Sequence, residues 1–265
     1  MAIRKLSTST IKSGAKVSSA WDKTTNILSV EFLIVGGGGG GSKNNYAGGG
    51  GGGGGVVEGV FTPTKGTSYA VVIGNGGTGA TSYNAVGTDG QSSSIFGITA
   101  GGGNGDNLNE NPSGSPQLTS PGFGPSDGEA ASGGGGAGGG STGINGGPGI
   151  ASSITGSAVF YGGGGGSGRR NGSPRSSGGT GGGGAGSDAG GVNAVAGSNN
   201  TGGGGGGGAS SGGNAANGGS GVVIIAYPDS FPVLTSTDAG LFYSQPPRSG
   251  YRVYSFYGGS GSIVF

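Results

Sequence analysis

The chain contains neither cysteine nor histidine. Without cysteine there are no disulfides, no thiolate metal sites and no thiol nucleophile. Without histidine the chain lacks the side chain that titrates nearest neutral pH and the commonest metal ligand. Charge is scarce as well: 9% of residues are charged and the formal net charge is +1. A basic stripe for nucleic acid or an anionic membrane is therefore missing, as is the high net charge that keeps many chains unfolded. No stretch approaches the roughly 20 apolar residues of a membrane-spanning helix. The opening residues are polar, with lysines and no apolar centre, which is not the pattern of a secretory signal. These absences point to a chain made in a cytoplasm, without catalysis or a cofactor, and without nucleic-acid or membrane insertion.

What is present is glycine, 78 of 265 residues. Collagen needs glycine strictly at every third position with abundant proline; here the glycines come in blocks and there are only 11 prolines. A flexible linker is the other simple reading, but the blocks are bracketed by apolar segments of strand character. VEFLIV runs directly into the block at 36–41, and GVVIIAY follows the last block. Between them, strands are predicted over 56–62, 68–73, 92–100 and 154–161. The C-terminal aromatics predict a hairpin.

Three segments follow. Residues 1–25 read as an extended attachment arm, with Ile3, Leu6, Ile11 and Val17 too irregular for one element and Trp21 marking the start of the folded body. Residues 26–228 read as the body, with a long Asn/Pro/Ser/Asp-rich loop at 104–129. Residues 229–265 read as a C-terminal hairpin extension.

A glycine run has no side chain to bury, so only its backbone groups can hold it in place. In polyproline-II geometry a chain has three residues per turn and no internal hydrogen bonds. Each amide and carbonyl then points outward at 120° intervals, and glycine alone lets neighbouring chains approach closely enough to pair. Ordering glycine is entropically costly, so several blocks must pair cooperatively. The expected fold class is all-β plus polyglycine-II with almost no α-helix. Ala137, Thr180 and Ala185, which interrupt the blocks, are expected on outer faces.

VEFLIVGGGGGG, GGGGGGGGVVEGVFTPTKGTSYAVVIGNGG, SSIFGITAGGG and GGSGVVIIAYP, in that order, resemble the glycine-rich domain proteins of tailed bacteriophages. The opening MAIRKLSTSTIKSG is similar to the start of cyanophage virion proteins. The resemblance implies a virion structural protein akin to the polyglycine-II tail-fibre adhesins, with a jelly-roll-like β-sandwich carrying an inserted polyglycine-II bundle. It implies a tail fibre or tail-tip protein that presents variable loops to a host-surface glycan, lipopolysaccharide or outer-membrane protein. It also implies attachment to other virion proteins through the N-terminal arm (Ile3, Leu6, Ile11, Val17, Trp21), and a homo-oligomer, trimeric by family analogy. A purely structural capsid or neck decoration is the alternative.

Gly74-Asn-Gly-Gly-Thr-Gly79 matches the GxGxxG dinucleotide pattern, but at this glycine content such matches arise by chance and no helix is predicted after it. Arg169, Arg170 and Arg175 cluster in one polar insert; they suit a solvated tip and also an anionic glycan or phosphate. Tyr46, Tyr83 and Phe123 sit in glycine-bounded loops, where aromatic rings stack on sugars, anchor a partner or, equally, pack over the end of the sandwich. These six are the candidate receptor-binding residues. Asp106, Glu110, Asp127 and Glu129 match no compact calcium-loop spacing.

Overall fold

A computed structural model describes residues 28–105, 132–169, 175–188, 190–209 and 213–265. The expected arm, Phe123, Arg170 and the four carboxylates of the long loop lie outside the described residues. Within them the chain is all-β, with eleven strands and no helix.

Strands β1 (Val30–Val35) and β8 (Val222–Pro228) form the centre. Both are buried on two faces, which is why each reads as a continuous apolar run. Phe32, Ile34, Val223, Ile225 and Tyr227 point into the main core, whereas Leu33, Val35, Val222, Ile224 and Ala226 point the other way. That second face is covered by Ala137 and by the hairpin of β6 (Ile150–Ser152) and β7 (Val159–Tyr161). Ala137 is thus a packing residue at 8% exposure, not on an outer face as expected, while Thr180 is exposed. The predicted strand at 154–161 is shorter than expected, because Ile154 lies in the turn of this hairpin.

The remaining strands are β2 (Val56–Phe61), β3 (Ser68–Val72), β4 (Ser93–Ile95), β5 (Ile98–Ala100), β9 (Ser236–Thr237), β10 (Leu241–Ser244) and β11 (Tyr251–Val264). The main sheet runs β2-β1-β8-β11-β3-β4-β5, with β9 and β10 also paired to β11. Its two ends approach each other, so the sheet is nearly closed. Phe61 of β2 stacks on Phe96, with ring centroids 4.2 Å apart, across that seam. Phe96 and Gly97 form the turn that splits the expected strand at 92–100 into β4 and β5, both with positive φ (57° and 74°). A bulky ring rarely adopts that conformation; contacts with Phe32, Phe61, Tyr69 and Phe265 hold this one.

In the C-terminal segment β9 and β10 both pair with β11, which belongs to the main sheet. β11 lies between β8 and β3. Because β8 leads away from the last glycine block and β3 leads into one, antiparallel pairing with both forces β11 to double back. It pairs with β8 through Phe256 and with β3 from Ser260 onward. Gly259 (φ 87°) sits at the reversal, and a Cβ there would collide with the carbonyl of Gly240. On the far side of the sheet Arg248 pairs with Glu31 at 2.5 Å, donates to the Ile154 carbonyl and covers the Tyr251 ring, tying the β6–β7 hairpin to the sheet.

Gly259→Ala is expected to lower unfolding free energy by about 1–3 kcal/mol, measured by urea denaturation. Tyr161 and Tyr227 are buried, and burial is the main cause that raises the pKa of each phenol above the ordinary 10.0. Glu58 adds to the shift at Tyr161, and Tyr254 to that at Tyr227. The folded state therefore holds these protons longer than the unfolded state. Their contribution to stability is complete below pH 10 and is lost as pH rises through the higher folded-state values. A melting temperature that falls steeply above pH 10, and less steeply in Tyr227→Phe, is the expected result.

Candidate recognition face at the ends of the glycine blocks

Every glycine block that follows a strand continues the pairing of that strand. The offset that pairs Val35 with Val56 also pairs Gly36 with Gly55, Gly39 with Gly52 and Ser42 with Gly49. The β1–β8 offset recurs at Gly38–Gly219 and Gly41–Ala216. The β6–β7 offset recurs at Gly164–Gly147 and Ser167–Ile144. Between these rungs the amides turn elsewhere: Gly37, Gly40 and Lys43 donate to Gln91, Thr88 and Ala85. Successive residues of 36–42 thus donate to three different neighbours in rotation, and their carbonyls accept from three more, at 77–80, at Gly103 and at 205–208. Residues 48–55 repeat the pattern, with Gly48, Gly51 and Gly54 donating to Gly208, Gly205 and Gly202.

This packing excludes side chains. A Cβ on Gly38, Gly51, Gly165 or Gly205 would meet the carbonyl oxygen of an adjacent segment well inside van der Waals contact. Elsewhere side chains accept in place of backbone carbonyls, the buried Ser93 where the bundle meets the sheet and Asn217, Asp89 and Asn145 nearer the surface. Ser93 Oγ takes the Gly74 amide, Asn217 Oδ1 that of Gly79, Asp89 Oδ1 that of Gly105 and Asn145 Oδ1 that of Ser177. Five of the six amides of the GxGxxG match are spent within the protein: Gly77 donates to Gly38, Gly74 and Gly79 to these side chains, and Asn75 and Thr78 to Gln91 Oε1 and Thr88 Oγ1.

Because the segments pair near end to near end, their turns gather at the end remote from the main sheet. Lys43 exchanges backbone hydrogen bonds with Ala85, the Gly208 amide meets Ser42, that of Gly168 meets Gly48, and that of Ser187 meets Gly207. Tyr46 and Tyr83, both 51% exposed, stand there with Val86 and Val192. The loops bearing the two tyrosines are joined by the Asn45 amide and Asn84 Oδ1 at 3.4 Å.

The arginines are placed differently from one another. Arg175 donates from Nε to Gly186 O (2.9 Å) and from Nη2 to Asn193 O (2.8 Å), so it braces two turns. Arg169 is half-buried, with its amide on Ser187 O. Sequence reasoning missed Lys43, which is 5% exposed. Its ammonium donates to Asn214 Oδ1 at 2.7 Å and Thr81 O at 3.4 Å, and lies 4.6 Å from the centre of the Tyr83 ring. In SKNNYA it looks like any loop lysine, and only the docking of residues more than a hundred positions apart buries it.

The family model described as Glycine-rich domain matches residues 13–228. The chain belongs to this glycine-rich domain family. No curated protein and no solved structure gives a significant match. The family boundary closes at Pro228, the last residue of β8, so the matched region holds all the glycine segments, while β9, β10 and β11 of the same sheet lie beyond it.

Gly51→Ala is expected to cost more than about 3 kcal/mol, since a backbone carbonyl would have to move. Gly140→Ala, where a Cβ meets nothing within 4 Å, is expected to be neutral within about 0.5 kcal/mol. Paired chemical-denaturation curves check the contrast.

Proposed function

We propose that the glycine segments are polyglycine-II helices mounted on a jelly-roll-like β-sandwich, and that the chain is a phage virion protein of the tail fibre or tail tip. The three-residue rotation of hydrogen-bond partners supports the first part, because a three-fold screw directs successive amides 120° apart. A seven-residue segment of this kind spans roughly 20 Å, which sets the turns well clear of the sheet. The protein acts by binding: it presents its turns to a host-surface molecule and carries out no reaction.

The observation that carries this reading is the contrast between bundle and tips. Inner bundle positions such as Gly38, Gly51 and Gly205 admit no side chain, whereas the turns at the remote ends bear exposed Tyr46, Tyr83, Val86 and Val192. Loops held on a rigid scaffold are where recognition concentrates, and half-exposed tyrosines bring contact area at small entropic cost. Arg175, committed to two carbonyls, supports the face and does not reach out from it. Attachment to other virion proteins through residues 1–25 and trimeric assembly complete the proposal.

Purified protein is expected to bind intact host cells and to block adsorption of the phage that carries it. Tyr46→Ala combined with Tyr83→Ala should weaken binding about tenfold or more, some 1.4 kcal/mol, with a single cooperative thermal transition retained. Failure of the wild-type protein to bind cells, together with hundreds of copies per particle, would replace this reading with a structural decoration.

A further inference from the structure

Lys43 is the one described lysine buried below a tenth of its surface, and among the described residues no carboxylate pairs with it; the only ion pair there is Arg248–Glu31. Burying an ammonium without a counter-ion is costly unless its donors are satisfied. Here they are met by neutral groups from separate parts of the chain: Asn214 Oδ1 from the return of the last turn, and Thr81 O from the turn that also carries Tyr83. The Tyr83 ring faces the same ammonium. The lysine itself stands on the 42–47 turn. One side chain therefore joins three turns that are separated by up to 171 positions in sequence.

We propose that Lys43 is the positioning residue of the recognition face. It is too buried to touch a partner, and it sets where the exposed rings stand relative to one another. Backbone bonds fix Lys43 to Ala85, Ser42 to Gly208 and Ala215 to Ala80, and the Asn214 carbonyl accepts from Ala194; they hold the bases of the turns and do not reach the Thr81 carbonyl, the Tyr83 ring or the Asn214 side chain. The ammonium makes those three contacts, and a turn ordered before binding loses less entropy when the complex forms. This inference rests on the recognition reading for its purpose, but the ordering itself is measurable without any receptor.

Amide hydrogen exchange, with cell binding as a second readout, tests it on three variants of the full chain. Lys43→Met keeps the apolar stem and removes the donors. Asn214→Ala removes the nearest acceptor and leaves the lysine in place. Asn214→Asp supplies the missing carboxylate.

The first two variants are expected to speed exchange about tenfold or more at 81–86 and 214–217, while amides of β1, β8 and residues 49–55 keep their rates. Asn214→Asp is expected to slow exchange at the same turns. Cell binding should follow the same order. Unchanged exchange at the turns in Asn214→Ala, or a uniform increase throughout the protein in both loosening variants, overturns the positioning role. If the exchange pattern holds but the wild-type protein binds no cells, the positioning role stands and the host-recognition reading falls.

Discussion

The structure depends on one constraint: backbone groups of glycine segments have no partners except one another. A packed interior normally rests on apolar side chains, and the glycine segments have none to offer. Each segment must therefore be surrounded. Residues 36–42 achieve this with six neighbours, three reached through their amides and three through their carbonyls. The entropic cost of ordering glycine is the highest of any residue, and a single pair of segments could not offset it. The arrangement is cooperative in the strict sense that removing one segment leaves orphaned groups on several others.

The main sheet solves the registration problem. Glycine segments are featureless and could slide past one another, as flat strands without patterned side chains do. Here the offsets are inherited. β1 and β8 are locked by apolar residues on two buried faces, β2 is paired to β1, and the pairing of all three passes unbroken into the bundle at every third residue. The aromatic cluster at the opposite end of the sheet, from Phe32 and Phe61 to Phe265, anchors the same strands at their far ends. The hydrophobic core thus specifies the position of glycines it never touches.

This division explains what could be read from sequence. The strands beside glycine blocks were legible, because VEFLIV and VVIIAYP are apolar on both faces. The hairpin at 93–100 was not, since its turn is Phe96-Gly97 and a phenylalanine with positive φ carries no turn signal; only the surrounding rings make it tolerable. The place of β11 in the middle of the sheet was also hidden. Its composition suggests a hairpin, and nothing local announces that it must serve two neighbours of opposite direction. At the tips, the loop setting of Tyr46 and Tyr83 left ligand contact and packing over the sandwich end equally open from sequence. The bracing role of Arg175 and the burial of Lys43 were not legible, because both depend on carbonyls and amides supplied by distant turns.

The same division also separates what can change from what cannot. At inner positions of the bundle such as Gly38, Gly51 and Gly205, a substitution meets a carbonyl oxygen on a neighbouring segment, and that segment is held by others, so no local relaxation is available. At the turns the backbone has left the array, and residues such as Asn45, Ser82 or Val192 meet solvent. Insertions there leave the offsets untouched, since those are fixed from the sheet end. An insertion inside a block shifts every later amide to a different neighbour, because donation rotates through three neighbours in turn. Length can therefore vary freely only where the chain is remote from the sheet, and the sequence diversity open to this fold collects on the one face that the glycine segments hold away from it.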